Sequence, residues 1–299
     1  MIDGTRSAIE SMDTVPNLLS GLEPSDVMHD PFPHVIIRRA MPERWAARLI
    51  AEFPPDPIVQ AGSAERSSGS NQRFSMYAAA IAESRDISPL WKRFIEEQSS
   101  PRFVRHAFRI FGPAIGQHYP DLARHVDGDF DRLRSGLRFR DSFDACDALV
   151  DAGLSINTPV TTLPTSVRMA HLDLPNKLFV GLYYLRASEE RDARGGDLVL
   201  CRYKRGARPR LSRFEVDPGC VETWRTVPYE SNVLVLFLNT LHSVHAVTPR
   251  LRTPHTRRFV NLLTEVSAPL FDSVDHQVAR IPFRARYYLR QLLAWRRAD

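Results

Sequence analysis

From about residue 154 to residue 266 the chain breaks into short β-branched or aromatic runs: "INTPVTTLPTSVRMAHLDL", "KLFVGLYYLR", "GGDLVLCRY", "SNVLVLFLNT", "HSVHAV" and "RRFVNLLTEV". Each is closed by Gly, Pro, Asn or a charged cluster. Parallel strands need a long crossover, usually a helix, and no helical pattern of that length lies between these runs. The strands are therefore expected to pair antiparallel, as a sandwich or barrel.

The N-terminal half has a different texture. "PFPHVIIRRAMPERWAARLIAEFPPDP" gives a short strand, Val35 to Ile37, and then a helix with apolar residues at Trp45, Leu49, Ile50 and Phe53. Pro54, Pro55 and Pro57 close it. Two more helices are expected at Leu90 to Gln98 and Arg102 to Phe111, whereas residues 114–152 mix helical and loop features. "AGSAERSSGSNQR" reads as a surface loop, and its Ser67 to Gln72 portion as a candidate lid over a binding site. The expected fold is mainly β with N-terminal helices on a double-stranded β-helix, a jelly roll of cupin-like form. One domain over 1–299 is expected, with a mostly helical layer at 1–153, the jelly-roll core at 154–266 and a basic C-terminal segment at 267–299.

A composition of 43% hydrophobic and 25% charged residues is that of a folded domain rather than a disordered chain. The three cysteines, Cys146, Cys201 and Cys220, form no CxxC pair, so free thiols and a reducing compartment are expected. The first residues show no secretory pattern and no run approaches the roughly 18 apolar residues of a membrane span. A soluble cytoplasmic protein is the expectation. Much of the net charge of +5 comes from arginines between Arg284 and Asp299, read as a solvated face. Neither nucleic acid nor membrane is an expected partner, and the oligomeric state is left open.

His171 and Asp173 stand two apart in an otherwise apolar segment. Side chains at i and i+2 of extended chain share a face, so both are aimed inward, where an uncompensated carboxylate costs several kcal/mol. A divalent metal is one compensator. A third ligand is then needed from a distant strand, and "NTLHSVHAVTP" offers His242 and His245. Two imidazoles and one carboxylate on one face of a metal leave the other face open, as in non-haem Fe(II) oxygenases. A dicarboxylate cosubstrate chelating such a metal would need a cation for its far end. Arg257 and Arg258, opening the last strand, supply an arginine fork suited to a carboxylate.

With these elements in order (the HxD of His171 and Asp173, "GLYYLR" followed by "GGDL", "VLVLFLNTLHSVHAV" and "RRFVNLL") the chain resembles the Fe(II)/2-oxoglutarate-dependent dioxygenases, within them the prolyl-4-hydroxylase-like group. The resemblance covers roughly Ser155 to Glu265. It implies Fe(II) held by His171, Asp173 and His245, with 2-oxoglutarate and O2 as cosubstrates. It also implies an arginine of the last strand on the cosubstrate's C5 carboxylate, Arg258 preferred and Arg257 second. The family often has a small polar residue two positions after that arginine. Val260 stands there instead, so a second donor is sought among Tyr183, Tyr184 and Asn157. Asp173 fills the position that halogenases of this class leave small, so hydroxylation of a C–H bond is the expected outcome, with succinate and CO2 as coproducts. Desaturation and cyclisation stay open. The substrate is expected to be a small molecule. The alternatives are a non-catalytic binding protein and a cupin-like isomerase or hydrolase on the same roll. Arg168 and Lys177 are expected to face solvent, with an inward bend of Arg168 toward an anionic substrate, or a substrate contact of Lys177, as the alternatives.

Overall fold

The computed structural model describes residues 2–3, 14–65, 69–125, 132–207, 211–212 and 214–271. In chain order the strands are β1 (Ile2–Asp3), β2 (His34–Arg38), β3 (Arg73–Met76), β4 (Ser135–Leu137), β5 (Ala148–Asn157), β6 (Lys177–Tyr184), β7 (Leu198–Tyr203), β8 (Leu211–Ser212), β9 (Glu215–Val216), β10 (Val221–Val227), β11 (Val233–Leu238), β12 (His245–Val247) and β13 (Arg257–Val266). The helices are α1 (Glu43–Ala51), α2 (Asp56–Ala61), α3 (Ala78–Glu83), α4 (Pro89–Gln98), α5 (Pro101–His118) and α6 (Pro120–His125).

The large sheet runs β1-β2-β11-β6-β13-β5-β3, with β4 beside β5, and a small sheet runs β10-β7-β12. Every pairing is antiparallel except β1–β2 and β4–β5. Strands distant in sequence are neighbours, as when β6 lies between β11 and β13. The two sheets form the expected jelly roll, and the chain is mainly β with N-terminal helices.

Strand periodicity places the cores. On β11, Leu234, Leu236 and Leu238 pack toward the helices, whereas Val233, Val235 and Phe237 point into the space between the sheets. Both faces are covered, so "VLVLFL" reads as an uninterrupted apolar run. On β13 the same alternation sends Val260 and Leu262 to the helices and Phe259 and Leu263 to the interior of the roll. The helical layer docks through aromatic contacts. Phe179 of β6 meets Phe108 and Phe111 of α5 with ring centroids 5.3 Å apart in each case. Serines cap α4 and α5 at their first turns, the side chain of Ser88 accepting from Trp91 N and that of Ser100 from Phe103 N.

Three expectations need correction. Residue 154 is no boundary: it falls inside β5, and β2 and β3 from the supposed helical layer are strands of the large sheet. Short strands carry little pattern of their own, and β3 follows directly on polar residues. The helix expected to stop at Phe111 continues to His118 through Pro113, because Ala114 and Ile115 are buried in the shared core. Part of the presumed loop is pinned rather than loose. Asn71 is buried, its amide donating to the Pro159 carbonyl and its side chain to that of Thr165. Residues 66–68 of that stretch and the basic segment Arg284 to Asp299 lie outside the described residues. All three cysteines are unpaired. Among the described residues no helix is long and apolar enough to cross a membrane.

Phe179→Ala removes the ring that joins sheet to helix layer. It should cost about 3–5 kcal/mol of unfolding free energy, read from urea denaturation as a lower midpoint with an unchanged slope.

Candidate metal centre and cavity

The site begins with a backbone register. His171 and His245 form a bridge in which each amide donates to the other's carbonyl, at 3.0 and 3.1 Å. Residues that exchange both hydrogen bonds lie directly opposite with side chains on one face. The two imidazoles are therefore neighbours, with ring centroids 4.2 Å apart. Asp173, two residues on, completes a cluster whose donor atoms all lie within 4.8 Å of one another. His171 sits on this isolated bridge, not on the regular strand its sequence suggested. His242 is exposed, its ring against Tyr203.

The hydrogen bonds select the metal-binding tautomer. Nδ1 of His171 faces the Met169 carbonyl at 2.7 Å, and Nδ1 of His245 faces the Ser243 carbonyl at 2.9 Å. A carbonyl has no proton to give, so each Nδ1 carries the hydrogen and each Nε2 presents a lone pair. Burial holds both imidazoles below their ordinary pKa, which keeps them neutral. Burial also opposes the charge of Asp173, yet the ammonium of Lys177 outweighs it and holds the carboxyl below its usual range. Lys177 Nζ donates to Asp173 Oδ1 at 2.7 Å, and Oδ2 lies 3.4 Å from His245 Nε2. Metal–ligand bonds of about 2.1 Å place cis donors roughly 3 Å apart, so the Oδ2–Nε2 spacing suits a divalent cation. Lys177, expected at the surface, is thus the group that orients the carboxylate.

A cavity of about 90 Å³ opens from this cluster, and its wall includes Arg73, Asn157, Arg168, Arg257, Phe259 and Asn261. The large sheet arranges its far side. Asn157 of β5 is the register partner of Arg257 on β13 and of Arg73 on β3, so the three form one cross-strand row. Arg257 is 2% exposed, and its Nη1 donates to Asn157 Oδ1 at 3.0 Å. Its Nε and Nη2, the Nδ2 of Asn157 and the hydroxyl of Tyr184 are buried with no hydrogen-bond partner among the described residues. Burial raises the Tyr184 pKa, so that hydroxyl remains a donor. The Arg257 guanidinium lies over the rings of Tyr184, Tyr229 and Phe259 at 4.9, 5.0 and 4.7 Å. Buried donors are rarely left unpaired, and this set suits a carboxylate.

The preference for Arg258 over Arg257 is corrected by this geometry. Arg258 takes the opposite face of β13, over the Phe53 ring at 5.5 Å and 3.8 Å from a Glu189 oxygen. The residue two positions after the cavity arginine is then Phe259, not Val260. Tyr183 bonds Asn232 Oδ1 at 3.1 Å in the helix-side core, whereas Tyr184 and Asn157 lie beside Arg257. Gly195 and Gly196 also acquire a reason. Both have positive φ, and a Cβ on Gly196 would stand 3.0 Å from Arg257 Cδ and 3.1 Å from Arg250 Cγ. Arg250 is buried beside them, burial and Arg257 pushing its pKa down to about 10, and it bonds Asn71 Oδ1 and the Thr158 and His255 carbonyls.

No protein-family model and no curated protein matches the chain. Structural neighbours include prolyl-4-hydroxylases and other 2-oxoglutarate–Fe(II) oxygenases. A Pseudomonas putida prolyl-4-hydroxylase shares 12% identity, with 84% of this chain and 100% of that one covered and a TM-score of 0.47. The epimerase SnoN, solved with Fe3+, alpha-ketoglutarate and nogalamycin RO, shares 12% over 83% of this chain and 86% of its own, with a TM-score of 0.47. A putative oxygenase from Shewanella oneidensis shares 12% over 98% and 96%, with a TM-score of 0.46. At such identities function has to be read from the cavity's own side chains.

Mn(II) titration followed by the electron paramagnetic resonance of the free ion should show one site, lost in His171→Ala. Lys177→Met should weaken it roughly ten- to a hundred-fold. An imidazole with a pKa near 6.5 begins to compete with metal as pH falls through about 6.5. With both imidazoles depressed, the affinity plateau should extend below that pH before protons win.

Proposed function

We propose that the protein is an Fe(II)- and 2-oxoglutarate-dependent dioxygenase that hydroxylates a C–H bond of a small-molecule substrate. The observation that carries this reading is a two-histidine, one-carboxylate cluster sharing a cavity with a buried arginine whose Nε and Nη2 lack partners among the described residues. His171, Asp173 and His245 would hold the metal and leave its opposite face open. Arg257 would pair with the C5 carboxylate of 2-oxoglutarate, assisted by the Asn157 amide and the Tyr184 hydroxyl. Phe237, Leu198, Val180 and Phe259 supply apolar wall that limits water around the reacting atoms. Fe(II) held there would supply the activation of O2. The overall balance converts substrate, 2-oxoglutarate and O2 to hydroxylated substrate, succinate and CO2.

Anaerobic addition of Fe(II) and 2-oxoglutarate should produce the weak visible charge-transfer absorption of a 2-oxo acid on ferrous iron. Arg257→Ala should raise the 2-oxoglutarate Kd at least thirty-fold, since losing one partner of a buried charge pair costs about 2–5 kcal/mol. Arg258→Ala should change it by less than about three-fold, the range of an exposed ion pair. Absence of the absorption in folded protein, or equal loss in both variants, refutes the assignment.

A further inference from the structure

The cavity wall carries four cationic side chains, Arg73, Arg168, Lys177 and Arg257, and among its described residues one carboxylate, Asp173. Lys177 is committed to Asp173, and Arg257 faces the position proposed for the cosubstrate. Arg73 and Arg168 are left over. Several arginines elsewhere in the molecule are paired with carboxylates, as in Arg38–Glu230, Arg134–Asp147, Arg138–Glu265 and Arg202–Glu222. These two are not, among the described residues.

Arg73 stands on β3, the edge of the large sheet, two strands from Arg257 with Asn157 between them. That is about 10 Å between the two backbones at ordinary strand spacing, and Arg257 already has Asn157 Oδ1 on its Nη1, a bond Arg73 does not share. The Arg73 guanidinium lies over the Phe259 ring at 5.4 Å, and its Nε donates a long bond to Ser75 Oγ at 3.3 Å. Glu65 is among its charged neighbours but is itself held by the Ser63 hydroxyl. Arg168 approaches from the other wall. Its backbone is fixed by Ser166 Oγ and by the Val247 amide, while its side chain lines the cavity on an otherwise exposed residue. Burial and then Arg168 are the main causes that hold the Arg73 pKa below its ordinary value. Asp173 and Glu65 also act on Arg73, but neither is within ion-pair distance of it, and two like charges facing one cleft with no carboxylate paired to them favour an incoming anion.

We propose that Arg73 and Arg168 form a second oxyanion subsite in this cavity, distinct from Arg257, which binds a carboxylate or phosphate group of the primary substrate. This rests on the oxygenase reading for the word substrate; the anion site itself stands on the two arginines. Phe259, stacked under both Arg73 and Arg257, separates the two anions and fixes their order along the cavity.

The test uses benzoate, phenyl phosphate and benzyl alcohol, which share a ring and differ in charge. Binding is measured by calorimetry to the full chain loaded with Mn(II) and saturating 2-oxoglutarate, at constant ionic strength. At least one anion should bind ten-fold or more tighter than benzyl alcohol, and the tighter of the two identifies the group as carboxylate or phosphate. Arg73→Gln and Arg168→Gln should each weaken that anion roughly ten-fold or more and shift the 2-oxoglutarate Kd less than three-fold. Arg168 is exposed, so its variant is expected to fold even where the Arg73 variant does not. Equal binding of all three probes, or anion binding that survives in the folded Arg168→Gln protein, overturns the proposal. The same titration without metal and cosubstrate separates the two readings. Arginine-dependent anion binding there, in a protein that gives no ferrous 2-oxo acid absorption, would sink the oxygenase and leave the anion site.

Discussion

The site depends on one backbone pair. His171 and His245 exchange amide hydrogen bonds at the edge of the small sheet, and that register alone decides that two residues 74 positions apart present imidazoles on the same face. A slip of one residue would turn a ligand outward, because strand side chains alternate. Leu200 of β7 holds His245 from the other side, so the ligand strand is paired on both edges. The carbonyls of Met169 and Ser243, two residues before each histidine, then set the tautomers. Extended backbone thus positions the ligands and also prepares their lone pairs.

Electrostatics divides the cavity into two ends. At the metal end the histidines are neutral and Asp173 is charged, with Lys177 on the oxygen that does not face His245. At the other end Arg257 is buried without a carboxylate partner among the described residues, held over three aromatic rings and bonded to Asn157. A buried guanidinium with unpaired donors costs free energy that packing elsewhere must offset. The helices behind the large sheet supply that packing, through a core that runs from Trp45 and Trp91 to Leu234 and Leu262. Gly196 lets the backbone pass close to Arg257 and Arg250, where any Cβ would press on them.

Much of this was legible in the residues. The spacing of β runs required an antiparallel roll, and the HxD and distal histidine named the ligand types. Strand β11 was legible as the apolar run "VLVLFL", uninterrupted because both of its faces are covered. Less legible were β3, four residues beside a polar stretch, and the continuation of α5 through Pro113, since tertiary burial overrode the local signals. Lys177 was read as a surface residue because its ion pair with Asp173 closes only when the turn before β6 folds back.

By itself the sequence determined which chemistries are present: two imidazoles, a carboxylate and two adjacent arginines on β-forming runs. Periodicity further required that Arg257 and Arg258 face opposite ways, but it has no absolute phase. Which of them entered the cavity was decided by the pairing of β13 with β5 and β6, which set Arg257 opposite Asn157 and Phe259 opposite Tyr184. Tertiary structure alone brought Arg73 into the same row, because strand order in a roll joins residues whose separation along the chain carries no signal of contact.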